Sequence, residues 1–292
     1  MAKVLAVGIA TLDIINSVER YPHEDDEVRA ISQRSCRGGN ATNTLTVLSQ
    51  LDHQCHWAGV LVDEPDAGHI TADLSCHHVN TDAVLVLAEG KVPTSYITHN
   101  LANGSRTIIH HRDLPEYPFA EFERIDLSPF DWVHFEGRNI DETLRMLTRL
   151  KQECPTLRYS IELEKARTNY QQLLPLADIL LFSKVFARNL GFDSATAFLS
   201  HMQKIAPQAT LVCAWGEDGA YSLDSDDFHY SPAFAPAQVV DTLGAGDTFN
   251  AGFIDAQLHG LDIKTSLRAA CQLAGQKCGV QGFDLTYSRI PT

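Results

Sequence analysis

The chain has 292 residues, with 23 Lys and Arg against 37 Asp and Glu and a formal net charge of −14. That length is enough for one large or two ordinary domains with a full core, and 44% apolar with 21% charged residues excludes wholesale disorder. The acidic balance excludes nucleic-acid binding through a broad basic face, but not a small anion held by backbone amides at a helix start.

In chain order, Val4–Ala10 reads as a buried strand. Polar residues Asp13–Arg34, interrupted by Tyr21-Pro22, break the pattern. A helix is predicted over Asn40–Leu51, with Ala41, Leu45, Leu48 and Leu51 on one stripe. Trp57–Val62 is strand-like and Asp66–His78 helical. Three short β-like runs follow: Ala83–Leu87, Ser95–His99 and Arg106–His110. Glu89-Gly90-Lys91 and Asn103-Gly104 join them, and Asn-Gly between alternating runs signals a hairpin. Next come strand Trp132–Glu136, helix Asp141–Glu153, and strands Leu157–Leu163 and Ile179–Phe182. Helix Ser194–Ile205 and strand Thr210–Ala214 precede two final helices, Gly246–His259 and Ile263–Cys278, each stopped by glycine.

Continuous Val/Ile/Leu runs between helices are what a parallel sheet covered on both faces requires. The expected fold is α/β: a doubly wound, mostly parallel central sheet with helices on both faces, plus a small antiparallel β lid built from two insertions. The expected body is 1–12, 35–82 and 112–292, and the expected lid is 13–34 and 83–111. Seven cysteines, an odd count without Cys-x-x-Cys, support neither a disulfide framework nor a zinc ribbon. Thirteen histidines make no His-Glu-x-x-His pattern, so no histidine metal site is expected. The start has too short an apolar run for a secretory signal, and no run approaches the roughly 20 residues of a membrane span. A cytoplasmic protein is the default.

The chemistry concentrates in two segments. Asp241-Thr-Leu-Gly-Ala-Gly-Asp-Thr-Phe-Asn250 follows strand-like Gln238–Val240 and opens a helix. Gly244 and Gly246 permit tight turns, so the next amides point outward as an anion hole. Asp247 inside that hole makes sense as a base that takes a proton from an attacking hydroxyl. The alternative is a capping aspartate. The second segment is Arg37-Gly-Gly-Asn-Ala-Thr-Asn43. Asn40 and Asn43 share one face at a helix start, and with the Gly39 backbone they suit several sugar hydroxyls. Asp13, at the end of the first strand, adds a carboxylate acceptor. Here too alternatives stand, Asn40 as an N-cap and Asp13 as a turn residue.

Two nucleotide motifs fail. Gly244-Ala-Gly-Asp-Thr-Phe249 ends in Phe where a dinucleotide fingerprint needs Gly, and Gly260-Leu-Asp-Ile-Lys-Thr265 lacks the second Gly of a Walker loop.

Together, Gly38-Gly39-Asn40-Ala41-Thr42-Asn43 and Asp241–Phe249 resemble the two signatures of the ribokinase-like (PfkB) sugar kinases. Finer marks resemble the members that phosphorylate the 1-hydroxyl of fructose. They are Arg20-Tyr-Pro-His-Glu-Asp25, Asn103-Gly-Ser-Arg-Thr107, Phe135-Glu-Gly-Arg-Asn139, Cys213-Ala-Trp-Gly-Glu217 and Lys277-Cys-Gly-Val-Gln-Gly-Phe-Asp284. The resemblance implies ATP as phosphoryl donor with Mg2+. It implies that Asp13, Gly39, Asn40 and Asn43 hold the sugar, that Asp247 is the general base, and that Gly244, Ala245 and Gly246 form the anion hole. Arg106, in the lid hairpin, would reach the transferring phosphate; a solvated surface arginine is the alternative. Ala214, Trp215, Gly216 and Glu217 would line the nucleotide site. Asp241 lies where related kinases bind a monovalent cation such as K+. A homodimer through the lid is implied, with Asp25 at the lid tip near the partner's active site, and neither nucleic acid nor membrane as a partner. Another kinase of the family, acting on ribose, a different ketose or a nucleoside, and a non-catalytic sugar sensor are the alternatives. One departure stands out. Where many relatives carry Asn-x-x-Glu this chain has Phe182-Ser-Lys-Val185, and Asn139-Ile-Asp-Glu142 follows an earlier strand. No magnesium ligand is assigned.

Overall fold

The computed structural model describes residues 1–285; the end of the expected body, 286–292, lies outside the described residues. The first elements are β1 (Lys3–Val7), β2 (Thr11–Val18), β3 (Ser32–Gly38), α1 (Asn40–Gln50), β4 (Gln54–Ala58), β5 (Val60–Val62), α2 (Pro65–Cys76), β6 (Val79–Asn80) and β7 (Leu85–Leu87). The middle holds β8 (Thr94–Asn100), β9 (Arg106–His111), α3 (Phe119–Phe122), β10 (Trp132–Glu136), α4 (Ile140–Glu153), β11 (Arg158–Leu163), β12 (Ile179–Ser183) and α5 (Lys184–Asn189). Then come α6 (Ala195–Gln203), β13 (Thr210–Ala214), β14 (Ala220–Asp224), β15 (Asp227–Ser231), α7 (Ala245–Leu258) and α8 (Ile263–Cys278).

Nine strands form the main sheet in the order β15-β14-β13-β12-β11-β10-β1-β4-β6. From β6 to β13 every pairing is parallel. These strands are apolar without alternation because helices cover both faces: Val4, Leu5, Ala6, Val133, Ile161, Leu180 and Val212 are wholly buried. Each of these Val, Leu and Ile side chains contributes roughly 1.5–3 kcal/mol when fully buried. The helices read equally directly. In α4, Ile140, Met146, Leu147 and Leu150 face the core, while Arg145 and Arg149 pair with Glu142 and Glu153 at the surface. Helix α8 starts where the Asp262 side chain accepts the Thr265 amide at 2.7 Å. Helices α1, α7 and α8 pack side by side, so the amino ends of α1 and α7 meet over the carboxyl ends of β1, β10 and β11.

The smaller sheet has the order β3-β2-β8-β9. Its outer pairings are antiparallel, while the central one, β2 with β8, is parallel. Of the three β-like runs expected between residues 83 and 111, only the last two join it. Leu85–Leu87 pairs instead with Val60–Val62 in a separate two-stranded parallel ribbon. The expected Trp57–Val62 strand is broken at Gly59, where a Cβ would lie 2.2 Å from the Trp57 ring. Gln238–Val240 is not a strand; the Val240 amide bonds the Cys278 carbonyl at the end of α8 instead. Across the small sheet one row runs Cys36, Asp13, Ser95, His110 and the next Ser35, Ile14, Tyr96, Ile109. Period-two geometry puts the two rows on opposite faces.

Far from this region His53, Asp255 and His259 bring three potential ligand atoms within 4.8 Å. The Ala2 amide donates to His53 Nδ1 (3.2 Å), so the neutral ring keeps its proton on Nε2 and donates to Asp255 (2.8 Å). The hydrogen bonds tie the turn after α1 to the end of α7. Among the described residues no helix is long and apolar enough to cross a membrane.

Candidate active site

Gly39 and Gly244 start the two helices that build the site. Gly39 caps α1 at φ 106°, and a Cβ there would lie 2.3 Å from the Ile9 carbonyl oxygen. Gly244 caps α7 in the left-handed region at φ 77°, beneath the Phe283 ring. Only glycine tolerates both demands. The Thr248 amide returns to Gly244 O, and Ala245 N bonds Thr242 O at 3.3 Å. The amides of Gly246 and Asp247 have no acceptor among the described residues, and a Cβ on Gly246 would meet open space. Free amides at the positive end of a helix, under open space, can receive an anion.

Asp247 is the third residue of α7 and is buried. It does not cap its own helix. Its Oδ2 accepts from Asn43 Nδ2 at 2.7 Å, and its backbone carbonyl accepts from Thr44 Oγ1 at 3.3 Å. A helix start favours the ionised form, but burial outweighs it here. It pushes the carboxyl up to about 7; the Asn43 hydrogen bond and Arg37 oppose the rise, and Glu164 and Glu136 add to it. Asn40 does not cap α1 either; its Nδ2 faces Glu162 Oε1 at 3.2 Å and Glu164 Oε2 at 3.4 Å.

Asp13 is the third residue of β2, one strand later than expected. Its Oδ1 accepts from Thr11 Oγ1 at 2.8 Å. Gly38 makes room for the carboxylate, since a Cβ there would lie 2.2 Å from Asp13 Oδ2. Burial raises this carboxyl too, against hydrogen bonds from Thr11 and Ser95 and the charges of His110 and Arg37. Arg106, on the same face of the lid as His110, lines a cavity of about 600 Å³ shared with Arg34, His99, Asp241 and Thr242. Ala214 ends β13, and Trp215, Gly216 and Glu217 turn away from it at the carboxyl edge of the sheet. There Lys184 lies 5.7 Å over the Trp215 ring and pairs with Asp218 at 3.3 Å. Asp25 sits with φ 65° in the exposed loop between β2 and β3.

Asp241, the expected monovalent-cation ligand, already has protein partners. Its Oδ2 accepts from Arg34 (3.1 Å) and the Gly282 amide (3.2 Å), and its Oδ1 from the Leu243 amide (2.9 Å). Fully buried Lys277 puts Nζ 3.5 Å from Oδ2 and 2.9 Å from the Asp241 carbonyl. Burial alone would raise this carboxyl, yet the two amides, Lys277 and Arg34 hold it below the usual range. Two protein cations already serve the side chain, so a monovalent cation on that carboxylate would face two like charges.

Linear reading missed two acids. Glu136, the last residue of β10, and Glu162, the next-to-last of β11, pair at the same register. Glu136 accepts from the Ile9 amide at 3.0 Å and from Arg138 at 3.3 Å. Glu162 Oε2 is buried without a partner among the described residues, and burial, then the nearby Asp247 and Glu136 charges, pushes this carboxyl well up. The available signal was a glutamate closing an otherwise apolar run. Asn139-Ile-Asp-Glu142 lies elsewhere, its glutamate taken by the Phe119 amide (2.5 Å) and Arg145 (2.9 Å).

A family profile described as pfkB family carbohydrate kinase matches residues 1–288. The chain belongs to that family. It is 44% identical to mouse ketohexokinase over 291 residues, covering 97% of this chain and 98% of the relative. It is 27% identical to fructosamine kinase FrlD of Bacillus subtilis, covering 96% and 92%. The solved Arabidopsis thaliana ribokinase complexed with ribose and ATP superposes with a TM-score of 0.82 at 20% identity, covering 96% of this chain and 94% of that one. Membership makes the chain a phosphotransferase that acts on a sugar hydroxyl, in a family that uses ATP with Mg2+.

Proposed function

We propose that the protein is an ATP-dependent ketohexokinase that transfers the γ-phosphoryl group to the 1-hydroxyl of fructose or a related ketose. The observation that carries this reading is the full-length 44% identity to mouse ketohexokinase. The site chemistry agrees with it. Asp13, the Gly39 backbone, Asn40 and Asn43 line the sugar side. The amides around Gly246 receive the phosphoryl oxygens, Asp247 takes the hydroxyl proton in an in-line transfer, and Arg106 reaches the phosphate from the lid. Ala214 to Glu217 line the nucleotide side. The partnerless Glu162 oxygen, with Glu164 on the same strand's extension, fits a hard divalent cation as an oxygen donor set. These two acids would hold Mg2+, which when bound neutralises charge on the transferring phosphates. K+ on the Asp241 side chain is not part of the reading. A cytoplasmic location is, since ATP is the donor.

A panel of sugars and nucleosides in a coupled ADP-release assay tests the activity. Fructose should give the highest kcat/KM. Preference for ribose or a nucleoside would replace the substrate, and binding without ADP release would leave a sensor.

The reading includes a homodimer through the lid. Tyr96 (48% exposed) and Ile109 (69% exposed) stand opposite each other on the outward row of the small sheet. Short sheets are marginal alone and gain from a covered apolar face. Light scattering at micromolar concentration should give twice the chain mass, with Tyr96→Glu shifting it toward monomer. A fully active monomeric wild type would exclude the dimer.

A further inference from the structure

We propose that Arg37 is a positioning residue for the base, acting through Asn43 to fix which atom of that amide faces Asp247. This rests on the reading of Asp247 as the base. Arg37 is the next-to-last residue of β3, yet its side chain is 2% exposed. Every part of the guanidinium is engaged. Nε donates to Asp73 Oδ2 on α2 at 2.5 Å, and Nη2 donates to Thr46 Oγ1 at 2.8 Å. Nη1 donates to Thr42 Oγ1 at 3.0 Å and to Asn43 Oδ1 at 2.7 Å.

A guanidinium has donors only. The Asn43 atom beside it must therefore be the carbonyl oxygen. The amide plane has two ends, so the NH2 group is left for Asp247, and it lies 2.7 Å from Oδ2. Rotating the amide would set a carbonyl oxygen against a carboxylate and leave a guanidinium facing an NH2 group. Both contacts would be lost at once, so the two ends lock each other. With Oδ2 held, Oδ1 remains as the oxygen that receives the substrate proton. The Asn43 hydrogen bond and the Arg37 charge also work against the burial that raises this carboxyl.

The Arg37 side chain is buried and acts only through Asn43, so its mark is coupling rather than size. The test is a double-mutant cycle of Arg37→Lys and Asn43→Leu, read by kcat, by KM for sugar and ATP, and by melting temperature. Lysine keeps the charge but loses the fork. Asn43→Leu should lower kcat about 10–100-fold, the worth of a hydrogen bond to a charged group. Arg37→Lys should lower kcat about tenfold with little change in ATP KM, since one of the guanidinium's contacts is lost on each side. The double variant should be no slower than Asn43→Leu alone, with melting temperature as the control that each variant is folded. Multiplying kcat losses would overturn the proposal, and so would an Arg37→Lys variant with wild-type kcat. If Arg37→Lys fails to fold, Asp73→Asn replaces it. That change loosens the guanidinium from the exposed side and should slow the enzyme only when Asn43 is present; an equal slowing in both backgrounds counts against the proposal. Asp247→Asn separates the two levels. If it is inactive and the cycle multiplies, this proposal alone falls; if it stays active, the base assignment falls first.

Discussion

Asp247→Asn should lower kcat by about 10²–10⁴, the usual worth of a positioned general base. Asparagine keeps the side-chain shape and leaves the two free backbone amides at the start of α7 in place, but it has no basic lone pair. The variant should bind ATP as well as wild type or better, because a negative charge beside the phosphates is gone. The pH dependence has a definite sign. Burial pushes the Asp247 carboxyl up to about 7, and the carboxyl is a base only when deprotonated. In wild type kcat/KM should therefore rise with pH through about neutral, and any residual activity of the variant should lack that limb. Stability moves the other way. A carboxyl with a raised folded pKa binds its proton more tightly in the folded chain, so its ionisation weakens the fold as pH climbs from about 4 towards 7. Asp247→Asn should thus melt above wild type at pH 8 and lose that advantage at pH 5. Because Glu162 lies close by, the limb belongs to the pair of carboxyls, and its midpoint is a macroscopic value. A folded variant with more than about a tenth of wild-type turnover would remove Asp247 from the chemistry, given the size expected of a base.

Much of the fold was legible because burial wrote it plainly. Trp132–Glu136, Thr210–Ala214 and Ile263–Cys278 have the bounds expected from the residues alone. The first two are apolar runs covered on both faces, and the third is bounded by an Asp cap and a Gly stop. What escaped lacked such a run. Strands β14 and β15 close the sheet as an antiparallel hairpin at its edge. Phe228 and Tyr230 of β15 are half exposed, and the buried β14 is interrupted by Ser222 and Asp224, so no continuous apolar run announces either strand. Leu85–Leu87 looks like a lid strand locally; only the tertiary position of Val60–Val62 decides its partner. The site followed the same rule. The glycines, Asp247, Asn40 and Asn43 were visible because their spacing with respect to a helix start is local. Arg37 and Glu162 were not, since a charged residue beside Gly-Gly or at a strand end says nothing of being buried. Only the approach of α1 to α7 gives Asn43 its second partner, 204 positions away in the chain.

Asp13→Ala should raise the ketose KM by about 10–100-fold and leave the ATP KM nearly unchanged. The lid supplies the reason. Asp13 lies in the row formed with Cys36, Ser95 and His110, on the face shared with Arg106. Its carboxylate is buried against Gly38, a glycine whose missing Cβ leaves the space the oxygens occupy. Thr11 already donates to Oδ1, so the other oxygen is the acceptor left for a sugar hydroxyl. A pocket built to pair with hydroxyls discriminates by what it leaves unpaired, at roughly 1–3 kcal/mol for each lost partner. Asp13→Asn should weaken sugar binding less than Asp13→Ala, because the shape and one acceptor oxygen survive. Burial raises the Asp13 carboxyl above its ordinary value. Protonation turns an acceptor into a donor, so the sugar KM of wild type should rise as pH falls through that raised value, and Asp13→Asn should flatten that rise. Separate KM values for fructose and ATP across pH decide the matter. If Asp13→Ala keeps the wild-type sugar KM but melts lower, Asp13 only ties the Thr11 and Ser95 hydroxyls together within the lid, and sugar recognition shifts to Asn40 and the Gly39 backbone.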